Sequence, residues 1–133
     1  MDIKKVLLVD DDRNIRLISQ IGLEGVPGWD IFTAESGLDA LTKAADNPPD
    51  VILLDMMMPG MDGIATYNKL KENEHTAAIP VIFMTAKVQN DEMDSYMKLG
   101  AAGVITKPFD PMTLSSDIIR LLNSKKVSQN KRA

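Results

Sequence analysis

Short apolar runs alternate with amphipathic stretches along the chain, and the alternation repeats five times. Residues 6–9, 30–34, 51–54, 81–84 and 103–106 are mostly rich in β-branched residues and bounded by Asp, Pro or Gly, which predicts strands. Three of these runs are apolar on successive residues, as expected of strands covered on both faces by the crossover helices of a parallel sheet. The intervening stretches carry helical spacing. The first, over 14–23, places Ile15, Ile18 and Ile21 on one face, with Asp12 as its N-cap. The second follows Ser36 over 37–45 and stops before Asn47-Pro48-Pro49, where proline removes donors and restricts the preceding residue. A third covers 64–72, and a fourth follows Asn90, carries Met93 and Met97, and ends at Gly100. In the last, Asp110-Pro111 supplies cap and first-turn residue, and Leu114, Ile118, Leu121 and Leu122 form the apolar stripe.

Composition narrows the function classes. With 133 residues, 44% apolar and 26% charged, the chain predicts a single globular domain and excludes disorder for most of its length. Its apolar runs are far shorter than the ~20 residues of a membrane-spanning helix. Met1-Asp2-Ile3-Lys4-Lys5 does not open a signal peptide, so a soluble cytoplasmic protein is expected. The absence of cysteine and the single histidine, His75, exclude thiol catalysis and Cys- or His-rich zinc sites, leaving oxygen as the ligand atom for any metal. His75 stands among Asn73, Glu74 and Thr76 and reads as an exposed loop residue. A net charge of −4 and a pI of about 4.9 give no basic footprint for nucleic acid. Lys125-Lys126 and Lys131-Arg132 lie in a polar stretch, so the folded unit is expected over 1–124, with 125–133 as a basic tail or the remnant of a linker.

In an open parallel α/β sheet, ligands bind outside the carboxyl ends of the strands. The first run ends in Asp10-Asp11-Asp12, the third in Asp55, the fourth in Thr85 and the fifth in Lys107. Asp12 is explained by capping alone. Asp10 and Asp11 are different, because like charges meeting Asp55 in a cleft need a proton or cation between them. Carboxylates without nitrogen or sulfur ligands suit a hard ion, which points to Mg²⁺, with Mn²⁺ as a substitute. Taken singly, Asp55 reads as a turn residue before Pro59-Gly60, Lys107 as a snorkelling surface lysine and Thr85 as a polar strand end. Together they are arranged for in-line attack on phosphorus, with a metal and an ammonium neutralising the transferring oxygens while a carboxylate accepts the group.

These residues resemble the receiver domains of bacterial two-component response regulators, the chemotaxis-type single-domain regulators in particular. The likeness rests on Val6-Leu7-Leu8-Val9-Asp10-Asp11-Asp12, Leu54-Asp55-Met56-Met57-Met58-Pro59-Gly60-Met61-Asp62-Gly63, Met84-Thr85-Ala86 and Lys107-Pro108-Phe109. It implies a doubly wound, flavodoxin-like α/β fold, with a five-stranded parallel sheet in the order 2-1-3-4-5 and five helices. It also implies that Asp55 accepts phosphate from a sensor histidine kinase or a histidine phosphotransfer protein. Asp11, Asp55 and the Met57 carbonyl would bind Mg²⁺ directly, and Asp10 largely through water. Thr85 and Lys107 would bind phosphoryl oxygens, and the bond from Lys107 to Pro108 would be cis. Phosphorylation would add roughly −2 charges beside Lys107 and Thr85 and shift the surface of the fourth helix, fifth strand and fifth helix, to control a downstream protein target. The resulting protein modifies itself and turns over no substrate; it contacts neither nucleic acid nor membrane directly.

The pattern departs from its relatives at Val104, where an aromatic that swings inward is common. The positions that tune phosphate lifetime hold Met57 and Lys87. A thioether cannot orient an attacking water by hydrogen bonding, so slow hydrolysis is expected. Met56, Met57, Met58 and Met61 crowd one loop, with core filling as the default expectation and an adaptable partner-binding lip as the alternative. Other classes fit less well. A Mg²⁺-dependent aspartyl-phosphate phosphohydrolase needs a second acid two residues after the nucleophile, where Met57 stands. A flavodoxin-like nucleotide binder needs glycines and backbone donors after the first strand, where three acids stand. A receiver cut from a longer regulator is the remaining alternative. A phosphorylation-dependent homodimer is a further expectation from the resemblance.

Overall fold

The computed structural model describes residues 3–86 and 90–132. The apolar runs form five strands, β1 (Lys5–Val9), β2 (Asp30–Ala34), β3 (Val51–Asp55), β4 (Val81–Ala86) and β5 (Gly103–Lys107). They pair in parallel in the order β2-β1-β3-β4-β5, so the strand order reverses between β1 and β3 and opens a crevice at their carboxyl ends. Residues 6–9 of β1 and 51–54 of β3 are fully buried, which explains why both read as unbroken apolar runs.

Five helices cover the two faces: α1 (Arg13–Glu24), α2 (Gly37–Asp46), α3 (Gly63–Glu72), α4 (Asn90–Leu99) and α5 (Leu114–Arg132). Ala40 and Ala44 of α2, Tyr67 and Leu70 of α3 and Tyr96 of α4 pack with Leu7, Leu54 and Phe83 on one face. Leu23 of α1 and Leu114 and Ile118 of α5 pack with Val6, Leu8 and Leu53 on the other. Asp12, Ser36 and Asp62 cap α1, α2 and α3 by accepting backbone N–H groups with their side chains. Gly100, at φ +112, takes the left-handed position that ends α4.

Two helices differ from expectation. On α1, Ile18 and Ile21 are 50% and 63% exposed, and the buried residues are Ser19 and Leu23. A close approach at Gly22, where a Cβ would stand 2.4 Å from the Pro111 carbonyl oxygen, turns the side carrying Ser19, Gly22 and Leu23 inward and leaves Ile18 and Ile21 outside. At the other end, Asp110-Pro111 does not begin α5. Asp110 closes a separate turn, accepting from Met112 N–H on Oδ1 and from Thr113 N–H on its carbonyl, and the helix starts at Leu114. The expected stripe holds, with Leu114 and Ile118 fully buried and Leu121 and Leu122 packed beside them. The α5 backbone continues to Arg132, through the positions set apart as a tail.

Candidate functional site

Strand register brings the first two acids together. Val9 of β1 pairs with Leu54 of β3, so the next residues, Asp10 and Asp55, stand side by side at the crevice. Asp10 prolongs the sheet by donating its N–H to the Ala34 carbonyl. Both carboxylates are almost wholly buried, whereas Asp11 is exposed at the rim. One carboxylate oxygen from each of Asp10, Asp11 and Asp55 lies within 4.8 Å of the others. From the end of β5, Lys107 reaches past β4 to place Nζ 2.7 Å from Asp10 Oδ2 and 3.4 Å from Asp55 Oδ1. The bond from Lys107 to Pro108 is cis.

Burial pushes the Asp55 carboxyl up to about 6; the Met57 N–H and Lys107 act against this rise and the Asp10 charge adds to it. For Lys107, burial alone would favour the neutral amine, but the hydrogen bond and charge of Asp10, together with Asp55, outweigh it and hold the pKa above the ordinary lysine value. Three carboxylates stand near one ammonium, so the cluster keeps an uncompensated negative charge, and two of the three, Asp10 and Asp55, are nearly out of water. All its donors are oxygen and they lie close enough to share one small ion, which fits Mg²⁺.

The remaining predicted residues surround this cluster. Met57 donates its N–H to Asp55 Oδ1 at 3.1 Å, and its side chain is 75% exposed. Thr85, buried at the end of β4, donates its hydroxyl to the Ala86 carbonyl over 3.4 Å, a long bond that leaves it weakly committed. Lys87 lies outside the described residues. Met56 and Met58 are buried, as core filling requires, while Met57 stands outward. His75 is exposed, as expected. Arg16 was not legible as a site residue: from the second turn of α1 its Nη1 donates to the Asp10 carbonyl at 2.7 Å and pins the peptide leading to Asp11. An arginine six residues after Asp10 is the only sequence trace of that contact, and arginines on helix surfaces are too common to single it out.

Such a cleft can hold a hard cation, offer one buried carboxylate as nucleophile and present an ammonium to anionic oxygens. The response regulator receiver domain model matches residues 6–119. The phosphate regulon transcriptional regulatory protein PhoB of Pseudomonas aeruginosa is 40% identical over 111 residues, 84% of this chain and 48% of PhoB. Protein PilG of the same organism is 37% identical over 79% of this chain and 77% of its own length. The solved chemotaxis protein CheY4 of Vibrio cholerae superposes with a TM-score of 0.82 at 31% identity, covering 91% of this chain and all of CheY4. The chain spans about half the length of the transcriptional regulators PhoB and PhoP that it matches. Receiver domains bind Mg²⁺ at an acidic site, are phosphorylated by histidine kinases and are generally not catalytic enzymes. No helix among the described residues is long and apolar enough to cross a membrane. A receiver-domain match over most of the chain, joined to the strand order and the acidic crevice, makes this chain a member of the response regulator receiver family of two-component signalling.

Proposed function

We propose that this chain is a phospho-acceptor signalling protein in which Asp55 takes a phosphoryl group from a phosphohistidine on a kinase or phosphotransfer protein. The observation that carries the reading is the convergence of Asp10, Asp11, Asp55 and Lys107 from three strand ends on one crevice. An Asp55 carboxylate oxygen attacks phosphorus in line; the new O–P bond forms as the N–P bond breaks, and the imidazole leaves with the electron pair and takes up a proton. Asp11, Asp55 and the Met57 carbonyl would hold Mg²⁺ directly, and Asp10 through water. The ion would supply charge neutralisation for the transferring oxygens. Lys107 leaves Asp10 to meet the phosphoryl oxygens, and Thr85 exchanges its long bond to Ala86 for a charge-assisted one. The only transfer is self-modification, followed by hydrolysis slowed because the Met57 side chain cannot position water.

The phosphorylated state acts through the α4–β5–α5 surface on a downstream protein, with residues 1–124 as the working unit and 125–133 as tail or linker. A cytoplasmic location, beside the kinase, goes with this reading. The half-length match to PhoB supports a second one, a receiver belonging to a longer regulator, in which the same site would drive an attached output domain.

The test is incubation with acetyl phosphate and Mg²⁺, followed by intact mass. The expected result is a gain of one phosphoryl group that is absent in Asp55→Asn and absent without divalent cation. An equal gain in the Asn variant would overturn the assignment.

A further inference from the structure

We propose that an aromatic ladder from Tyr67 through Phe83 to Tyr96, closed by the Tyr67 hydroxyl on the Leu99 carbonyl, is the latch that holds α4 on the sheet, and that loading of the Asp55 site loosens it. The second half of the proposal rests on the phospho-acceptor reading above.

Helix α4 is thinly anchored: of its described side chains, 91–99, none is buried. Tyr96 is the α4 residue packed against the core on this face, and its ring meets Phe83 edge-to-face at 5.3 Å and 83°. Phe83 in turn meets Tyr67 of α3 at 5.1 Å and 84°. Both geometries are favoured for aromatic pairs. Tyr67 is itself nearly buried, and its Oη donates at 3.1 Å to the carbonyl of Leu99, a last-turn group without an intrahelical partner. The approach depends on Gly100, where a Cβ would stand 2.7 Å from Tyr67 Oη. Thus α4 is held at mid-length by a ring that reaches α3 through Phe83, and at its end by the hydroxyl of Tyr67 itself.

Phe83 links the latch to the site. It lies two residues before Thr85, on the same face of β4, and pairs across the sheet with Val104. Because valine stands at 104, the aromatic contacts on this face come from α3 and α4 rather than from β5. The Thr85 hydroxyl makes a long 3.4 Å bond to the Ala86 carbonyl, so an acceptor arriving at Asp55 draws that hydroxyl toward itself at little loss. That movement alters the seat of Phe83 beneath Tyr96. Each contact of the latch is worth roughly two- to tenfold in an equilibrium constant, enough together to set the population of α4 positions. By linkage, a latch weaker in the loaded state opposes loading, and removing it must favour loading by the same factor.

The test uses the full chain with Tyr67→Phe, which keeps the ring and removes the hydroxyl, and with Tyr96→Leu, which keeps apolar bulk and removes the ring. Amide hydrogen exchange without ligand, and NMR titration with beryllofluoride and Mg²⁺, are read on each. In both variants exchange over residues 96–101 should accelerate about fivefold while β1 and β3 are unchanged, and half-saturation should fall about threefold. Unchanged exchange in α4 would overturn the latch. Faster exchange with equal or weaker beryllofluoride binding would overturn its coupling to the site. Failure of the parent chain to take up beryllofluoride would instead overturn the phospho-acceptor reading and the coupling with it, and the exchange data would still decide the latch.

Discussion

Along β1 and β3 a single residue step separates two environments. Val9 and Leu54 are fully buried among aliphatic side chains, and the next pair, Asp10 and Asp55, is almost as buried yet carries carboxylates. The aliphatic stretch needs nothing beyond close packing. The acidic step needs Lys107, the Met57 N–H and a cation to offset charge that water no longer screens. The rigid interior is what keeps the acids together: strands packed on both faces cannot splay to relieve the repulsion, so the relief must come from a proton or a cation.

The aliphatic half must be rigid to hold the acids. Leu53→Ala, at a fully buried position in the middle of β3, should destabilise the chain by about 3–4 kcal/mol in denaturant unfolding. A midpoint close to that of the parent would mean that the interior does not brace the site.

A smaller effect sharpens the acidic half. The Asp55 carboxyl stands at about 6 in the folded chain against an ordinary 3.8. The folded state therefore binds this proton more tightly than the unfolded state, and without divalent cation stability should fall as pH rises from about 4 to about 6 and stay low above that. The loss is on the order of 2–3 kcal/mol. Asp55→Asn, melted in chelator across this window, should lose the slope and be more stable than the parent at neutral pH. An unchanged slope would assign the pH dependence to another group.

The smallest effect contrasts a polar group that is served with one that is not. Among the described residues, Ser19 Oγ is a buried side-chain oxygen with no hydrogen-bond partner. Ser19→Ala should raise stability by about 1 kcal/mol, read from the same unfolding curves. A loss of similar size would show that the hydroxyl does bond, for instance to a buried water.

Much of this is legible in the sequence, because the strands announce themselves as apolar runs and the polar residues that end them have no packing reason to be there. The parallel sheet and the positions of Asp10, Asp55, Thr85 and Lys107 at its edge follow from that pattern. What periodicity could not reveal depends on contacts between distant segments. The orientation of α1 is set by Gly22 meeting Pro111, so the spacing of Ile15, Ile18 and Ile21 misplaces its buried face. The start of α5 is set by a turn around Asp110 that resembles a cap in sequence. Arg16 on the Asp10 carbonyl and Tyr67 on the Leu99 carbonyl join a side chain to a backbone atom, and backbone acceptors leave no mark on residue spacing.

Three carboxylates held together by the sheet create a demand for a hard cation, and Mg²⁺ titration of the chelated protein, followed by thermal unfolding at neutral pH, measures that demand. The midpoint should rise with Mg²⁺ in the parent, saturate, and stay flat in Asp11→Asn and Asp55→Asn. A parent chain whose midpoint ignores Mg²⁺, or variants that respond as strongly as the parent, would contradict the account.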